Sequence, residues 1–444
     1  MALETWLIKV RTAISSKLID AARAAAPTTN LKLPKKSQTL GVLAFEVAGL
    51  MSKLLHLWQS LSDHSLLLLR RDSAALEGVR KLVSADDAFL LSLARAEISE
   101  TLRHVADSVS RLSHRCRDSD LRSFRRLFHE FGDSGRDPLL WVLPSKEIEA
   151  KNRRMDRLVA ATAALYREME ELSQTENALR KTSPAKEHKI SDLQQKNFLQ
   201  RQEIKYLKER SLWSRSFDAA VSLLARSIFT LLARIKITFG VPNSLPRSLS
   251  ASAAVHPSSD EVKIQSNGFL EANSKLLKPA ATTLGAAALA LHYSNLIIVL
   301  EKMIKSPQLV GPDAREDLYG MLPRSLRWSL RRRLRGVGFC AGDPKLAGEW
   351  KDALGKILGW LAPLAHNMIK WQSERSFEHQ NLAPKTNVLL FQTLYFANKE
   401  KTEAAITELL VGLNYVWRFE REMTARALFE CANFNGFLQN SSTG

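Results

Sequence analysis

Apolar residues recur along the chain with a helical period almost throughout. In the first 26 residues Leu3, Trp6, Leu7, Val10, Ile14 and Leu18 share one face, while Lys9, Arg11, Lys17 and Arg23 fall elsewhere on the wheel. This predicts an amphipathic helix over 1–26 that could dock through Trp6, Leu7, Val10, Ile14 and Leu18 onto the protein's own core, a partner or a membrane surface. Pro27 to Gln38 reads as a linker, broken by Pro34, Lys35 and Lys36. A helical domain is expected over 39–145. Leu40 to Leu61 is apolar on most faces and predicts a buried helix, and Asp86 or Asp87 can cap a long helix reaching about Arg115. Leu90, Leu93, Ala94, Ile98, Leu102, Val105 and Val109 form one stripe on that helix. Such a stripe needs an apolar partner, which points to an antiparallel bundle.

From Glu147 to Leu179 the period shortens to a heptad. Ile148, Met155, Thr162 and Met169 occupy one core position and Leu158, Leu165, Leu172 and Leu179 the other. Pro184 interrupts, and a weaker register continues through Ile190, Leu193, Asn197, Ile204 and Leu207. Two long helices joined near Pro184 could close as a coiled-coil-like hairpin, or residues 147–207 could pair with another chain; with the apolar helix that follows they make up a unit over 146–239. The hairpin loses less entropy on forming and is favoured. Phe217 to Phe239 is strongly apolar, yet Asp218, Arg226, Arg234 and Lys236 leave no run near the roughly 20 residues a membrane span requires.

Residues 240–280 lose the period and gain serine and proline, as a flexible linker does. A second helical domain is expected over 281–435. Its helices run from Thr283 to Ile304 before Pro307, from Pro312 or Asp313, from Asp343-Pro344 onward, and from Glu400 to about Arg426. Thr39-Leu40-Gly41 with Ala44, and Thr283-Leu284-Gly285 with Ala288, open both halves alike. The match is too short to establish a repeat by itself.

Composition agrees with an all-α fold of two helical bundles. Only 15 prolines and 19 glycines occur in 444 residues, and 45% of the chain is apolar. Cys116, Cys340 and Cys431 are far apart and odd in number, which fits a reducing compartment rather than a disulfide framework. No signal peptide is recognisable, and Ala2 stands where N-myristoylation would need glycine. An intracellular protein of nucleus or cytoplasm, or one peripheral at the plasma membrane, is expected. The net charge of +18 is spread along the chain instead of gathered in one basic domain, which argues against a dedicated nucleic-acid binder.

The densest charge feature is Arg324, Arg327, Arg331, Arg332, Arg333 and Arg335, interleaved with Leu326, Leu330 and Leu334 at four-residue spacing. The bland reading is a solvated helix face over an apolar stripe. The functional readings are contact with an anionic partner or lipid, or a nuclear-import signal. His366, Lys370, Glu374 and Glu378 fall on one helix face, where Lys370 and Glu374 could pair. General-base chemistry at His366 would need a nucleophile or metal partner, and none stands at useful spacing. His292 and Tyr293 read as satisfied buried polar groups, and Trp58 as a core aromatic. No catalytic, cofactor-binding or metal-binding motif is recognisable, so no cofactor is expected.

Five stretches, LGVLAFEVAGLMSKLLHLWQSLSD from Leu40, GVRKLVSADDAFLLSLARAE from Gly78, SLWSRSFDAAVSLLARSIFTLLARIKITFG from Ser211, TLGAAALALHYSNLIIVLEKMIKSPQLVGPDAREDLYGMLP from Thr283, and WLAPLAHNMIKWQSERSFE, carry a resemblance. Together they resemble the plant PSK simulator (phytosulfokine simulator) family, whose members pair two domains of unknown function. The resemblance implies a role in promoting plant growth through phytosulfokine signalling and attaches no enzymatic activity. Residues and resemblance converge on a non-catalytic helical interaction or scaffold protein with protein partners still to be named. The alternative is a peripheral protein that binds anionic lipid through a basic amphipathic surface.

Overall fold

The computed structural model describes residues 39–73, 76–182, 187–240, 268–307, 310–335, 343–376 and 388–440. The N-terminal amphipathic segment, with Trp6, Leu7, Val10, Ile14 and Leu18, lies outside the described residues, as do Pro184 and most of the Ser-rich linker. Among the described residues the secondary structure is helical, apart from two isolated backbone bridges. The all-α expectation holds.

The N-terminal half contains α1 (Leu43–Ser60), α2 (Asp63–Leu68), α3 (Glu77–Leu82), α4 (Asp87–Ser113), α5 (Ser119–Arg122), α6 (Phe124–Ser134), α7 (Ser145–Lys181), α8 (Glu187–Arg210) and α9 (Phe217–Thr238), and the first bundle forms within it. Phe229 of α9 is the hub of its core. Phe131 stacks on it at 4.9 Å and Trp141 meets it edge-on at 5.0 Å, each such pair adding about 1 kcal/mol beyond its area burial. Two of the charges that interrupt α9, Lys236 and Arg234, are used as helix caps. Lys236 is buried, and its Nζ donates to the carbonyls of Phe131 (3.0 Å) and Gly132 (2.6 Å) near the end of α6. Arg234 donates to the Leu61 carbonyl at 2.8 Å, just past α1, and lies over the Trp58 ring at 4.4 Å. No described helix is long and apolar enough to cross a membrane.

Helices α7 and α8 pack on each other within the chain, and α7 also packs on α1. The heptad residues Met155, Leu158, Thr162 and Leu165 are buried, whereas Met169, Leu172 and Leu179 are only half-buried further along. Arg201 and Glu176 pair across the hairpin at 2.9 Å. Thr162, the polar member of the heptad core, accepts from the Leu212 backbone at 3.2 Å.

The second bundle contains α10 (Phe269–Leu276), α11 (Ala290–Lys305), α12 (Pro312–Met321), α13 (Arg324–Leu334), α14 (Pro344–Ser376) and α15 (Lys399–Asn440). Helix α10 lies at the end of the segment read as linker, and its Leu270 enters the first core. The two bundles are joined through α3 and α4. Asp86 caps α4 by accepting from Ala88 N at 2.9 Å, and the stripe that begins there divides. Leu90, Leu93 and Ala94 are buried in the second core, and Ile98, Leu102, Val105 and Val109 in the first. A helix of 27 residues spans about 40 Å, enough to serve two cores in succession. Val79 and Leu82 of α3 also enter the second core. Gly78 permits this, because a β-carbon there would overlap the Trp360 carbonyl and approach Leu364 Cδ1 at 2.6 Å on α14.

Each bundle is closed by the same backbone device, here termed a clasp. In the first, Leu40 N donates to Arg215 O (3.1 Å), Gly41 N to Trp213 O (3.0 Å), and Thr39 bridges Ser216. In the second, Leu284 N donates to Ala397 O (2.9 Å), Gly285 N to Tyr395 O (2.8 Å), and Thr283 bridges Asn398. The receiving segments correspond as well: Trp213 N donates to Ser211 Oγ at 3.3 Å and Tyr395 N to Thr393 Oγ1 at 3.1 Å. A long helix, α9 or α15, starts directly after each. Because Leu284 and Gly285 give their amides to this pairing, the helix expected from Thr283 begins instead at Ala290, after a turn in which Ala288 takes φ 55°.

Candidate functional site

Three places gather chemistry-bearing side chains: the arginine face of α13, the polar cluster where α11, α13 and α15 meet, and an arginine group around Trp417.

Helix α13 follows Pro323 and buries Leu326, with Leu330 packed at the edge of the second core. Its arginines divide by role. Arg333 pairs with Glu408 of α15, one guanidinium nitrogen lying 2.7 and 2.9 Å from the two carboxylate oxygens. Arg327 donates to the Gly320 carbonyl at 2.8 Å and, with Arg331, lies over Tyr319 at 5.2 and 5.9 Å. Arg332 lies over Trp328 at 4.8 Å, and that indole is 62% exposed. Arg324, Arg331, Arg332 and Arg335 face solvent and, among the described residues, form no ion pair. The sequence-predicted face therefore exists, with Arg333 and Arg327 spent on internal contacts.

Beneath it, Tyr293 is fully buried and donates to Glu403 Oε1 at 2.7 Å, which also accepts from Ser325 Oγ at 2.8 Å. Burial, and then the hydrogen bond to Glu403, push the Tyr293 phenol up. His292 Nε2 lies 2.9 Å from the Met321 carbonyl. Both are satisfied polar groups, as the sequence reading expected. His366 has a carboxylate partner that sequence reading missed: its Nε2 lies 2.7 Å from Glu301 Oε2, while Lys305 holds the other oxygen at 2.8 Å. The Lys305 hydrogen bond, followed by that from His366, holds the Glu301 carboxyl below its usual range against partial desolvation. The group is a surface ion-pair network joining α14 to α11. Among the described residues Lys370 and Glu374 form no ion pair, and no cluster of three or more His, Cys, Asp or Glu side chains could hold a metal.

A buried carboxylate sits between the bundles. Glu97 of α4 is 8% exposed and accepts from Trp371 Nε1 at 3.1 Å and from Leu390 N at 2.6 Å. Near the start of α4, Asn398 N donates to the Leu82 carbonyl at 2.8 Å, tying the second clasp to the end of α3. These contacts span about 300 residues of sequence. The third group, Arg315 and Arg421 over Trp417, was equally invisible to spacing, because α12 and α15 bring together residues roughly 100 apart.

The fold defines an all-α protein, and two family models match parts of it. Residues 42–98 match a domain of unknown function (DUF3475), and residues 283–370 match a protein family of unknown function (DUF668). The first match opens just after the first clasp begins and the second at the start of the second clasp. The chain is similar to Protein PSK SIMULATOR 1 of Arabidopsis thaliana, with 28% identity over 88% of this chain and 58% of that protein. It is also similar to PSK SIMULATOR 3 (27%, over 86% of this chain and 56% of the relative) and PSK SIMULATOR 2 (26%, over 86% and 60%) of the same plant. The chain is similar to PSK simulator proteins along most of its length, as the sequence reading expected, and matches two domain models of unknown function. It spans less than two thirds of the length of these relatives. No solved structure matches the chain.

Proposed function

We propose that this chain is a non-catalytic helical interaction protein that promotes plant growth in phytosulfokine signalling, acting by association with other proteins. The observation that carries the reading is its similarity to three PSK simulator proteins over 86–88% of its length. The exposed Phe198, Leu199 and Tyr206 on α8 support association, since side chains of this size on a solvent-facing helix favour a protein partner. Nucleus or cytoplasm is the compartment that fits. The test is seedling growth with and without added hormone peptide. Plants overexpressing the chain should grow longer in a hormone-receptor-dependent manner, and growth equal to controls in both conditions would contradict the reading. Proximity labelling in the same plants identifies the partners.

A second reading is favoured by one specific observation: Trp328, largely exposed, stands among the outward-facing Arg331, Arg332 and Arg335 of α13. An indole beside guanidiniums suits the interface of an anionic membrane. Flotation with acidic liposomes tests it. Binding that falls when Arg331, Arg332 and Arg335 become glutamine supports peripheral attachment, and absence of binding, with and without residues 1–26, removes it.

A further inference from the structure

The indole of Trp417, midway along α15, is fixed in place: its Nε1–H donates to the Val310 carbonyl at 2.8 Å. On this immobilised ring lie two guanidiniums from different helices, Arg315 of α12 at 3.7 Å from the centroid and Arg421 of α15 at 5.4 Å. A guanidinium held over an aromatic ring does not spend its N–H donors on that contact, so they stay available to an acceptor. Arg418, one turn before Arg421, adds a third positive charge.

The two carboxylates that flank Arg421 in sequence are already engaged. Glu420 is held by Lys351 at 2.7 Å and Glu422 by Arg426 at 2.6 Å. Among the described residues neither Arg315 nor Arg421 forms an ion pair. Burial, then repulsion from Arg421 and Arg418, lowers the proton affinity of Arg315. Cation–π contact offsets part of that repulsion, and a bound anion would offset the remainder.

We propose that Arg315 and Arg421, arrayed on Trp417 with Arg418 alongside, form a binding site for a multiply charged phosphate group. A phosphate presents several oxygens and up to two negative charges, so it can accept from two guanidinium forks at once, where one carboxylate fills a single fork. The pinned indole sets the forks in advance, which reduces the entropy lost on binding. Arg315 lies four residues before Tyr319 on α12, so the site continues on the same helix face toward the arginine-stacked Tyr319. A larger polyphosphate could extend along that direction. The site stands independently of the hormone reading, because it rests only on these side chains.

The test is calorimetric titration of the full chain with pyrophosphate and with inositol hexakisphosphate, together with flotation on phosphatidylcholine vesicles containing phosphatidylinositol bisphosphate. Binding in at least one arm is expected, weakened about tenfold by Arg315→Gln or Arg421→Gln and unchanged by Arg125→Gln, an exposed arginine on α6 of the first bundle. Arg421 is exposed, so its variant should fold like the parent, which thermal melting of the helical circular dichroism signal checks. Binding of the soluble probes alone identifies a free phosphate ligand, and flotation alone a lipid headgroup; both uphold the site. No binding in any arm, or equal binding by the Arg421→Gln chain, overturns it.

Discussion

In the first clasp Gly41 adopts φ 54°, and the space where its β-carbon would lie is open; in the second, Gly285 is outside the left-handed region, but a β-carbon would lie 2.5 Å from the Tyr395 carbonyl. The hydrogen bonds of the two clasps correspond one for one, yet glycine is demanded by a dihedral angle in one and by close backbone approach in the other. Their anchors differ too. The first is tied to the hairpin through Thr162, and the second to the end of α3 through the Leu82 carbonyl. The same local device thus closes a bundle made within the N-terminal half and, at the other end, one that borrows α3 and the start of α4.

Breaking the second clasp should cost most. Gly285→Ala forces backbone against backbone and is expected to destabilise by about 3 kcal/mol, whereas Gly41→Ala carries only the left-handed penalty of about 1 kcal/mol. Urea unfolding of the two variants checks the difference, and equal costs would mean the surroundings of the clasps do not differ as described.

The junction comes next. Glu97→Leu leaves the Trp371 and Leu390 donors without this acceptor in a buried place, and an overall loss of about 2–3 kcal/mol is expected. Glu97→Gln keeps an acceptor oxygen and should lose less, and the same urea midpoints rank the two.

Within the first core Lys236 gives a pH signature opposite in sign to that of the buried Tyr293 phenol in the second. Desolvation lowers its pKa, with Asp133 opposing. The unfolded chain therefore holds this proton more tightly, and stability should rise with pH between the lowered folded value and the ordinary 10.5. In Lys236→Met that rise should disappear from the urea midpoint measured across the alkaline range, while the two α6 carbonyls lose their donor.

The smallest effect belongs to the surface of the second bundle. Arg333→Ala removes an ion pair with Glu408 whose side chains are 51% and 39% exposed, and should change stability by no more than about 0.5 kcal/mol. A larger shift in melting temperature would show that α13 depends on this pair more than on Leu326.

Much of the architecture was readable from periodicity alone. The α4 stripe, its Asp86 cap, the leading heptads of α7 and the position of α9 all follow from residue spacing, because a helix's apolar face is a local property. Spacing names a face but not what covers it. Nothing local indicates that Leu90 and Leu102, three turns apart on one stripe, serve different cores. The helix start at Thr283 was misplaced because the amides of Leu284 and Gly285 pair with residues more than 100 positions later. The α13 arginine face was legible as a run of like residues. The Glu301 partner of His366 and the arginines on Trp417 were not, since their members come from separate helices and share no motif.

The central claim is that α3 and the first turns of α4 belong physically to the second core. Producing residues 39–240 and 268–444 as separate chains in the same cell tests it most directly. The account predicts that they co-purify as a one-to-one complex and that residues 268–444 alone lack a cooperative thermal transition, having lost Val79, Leu82, Leu90 and Leu93 from their core. Two separately folded monomers, each melting cooperatively and showing no association, would contradict it.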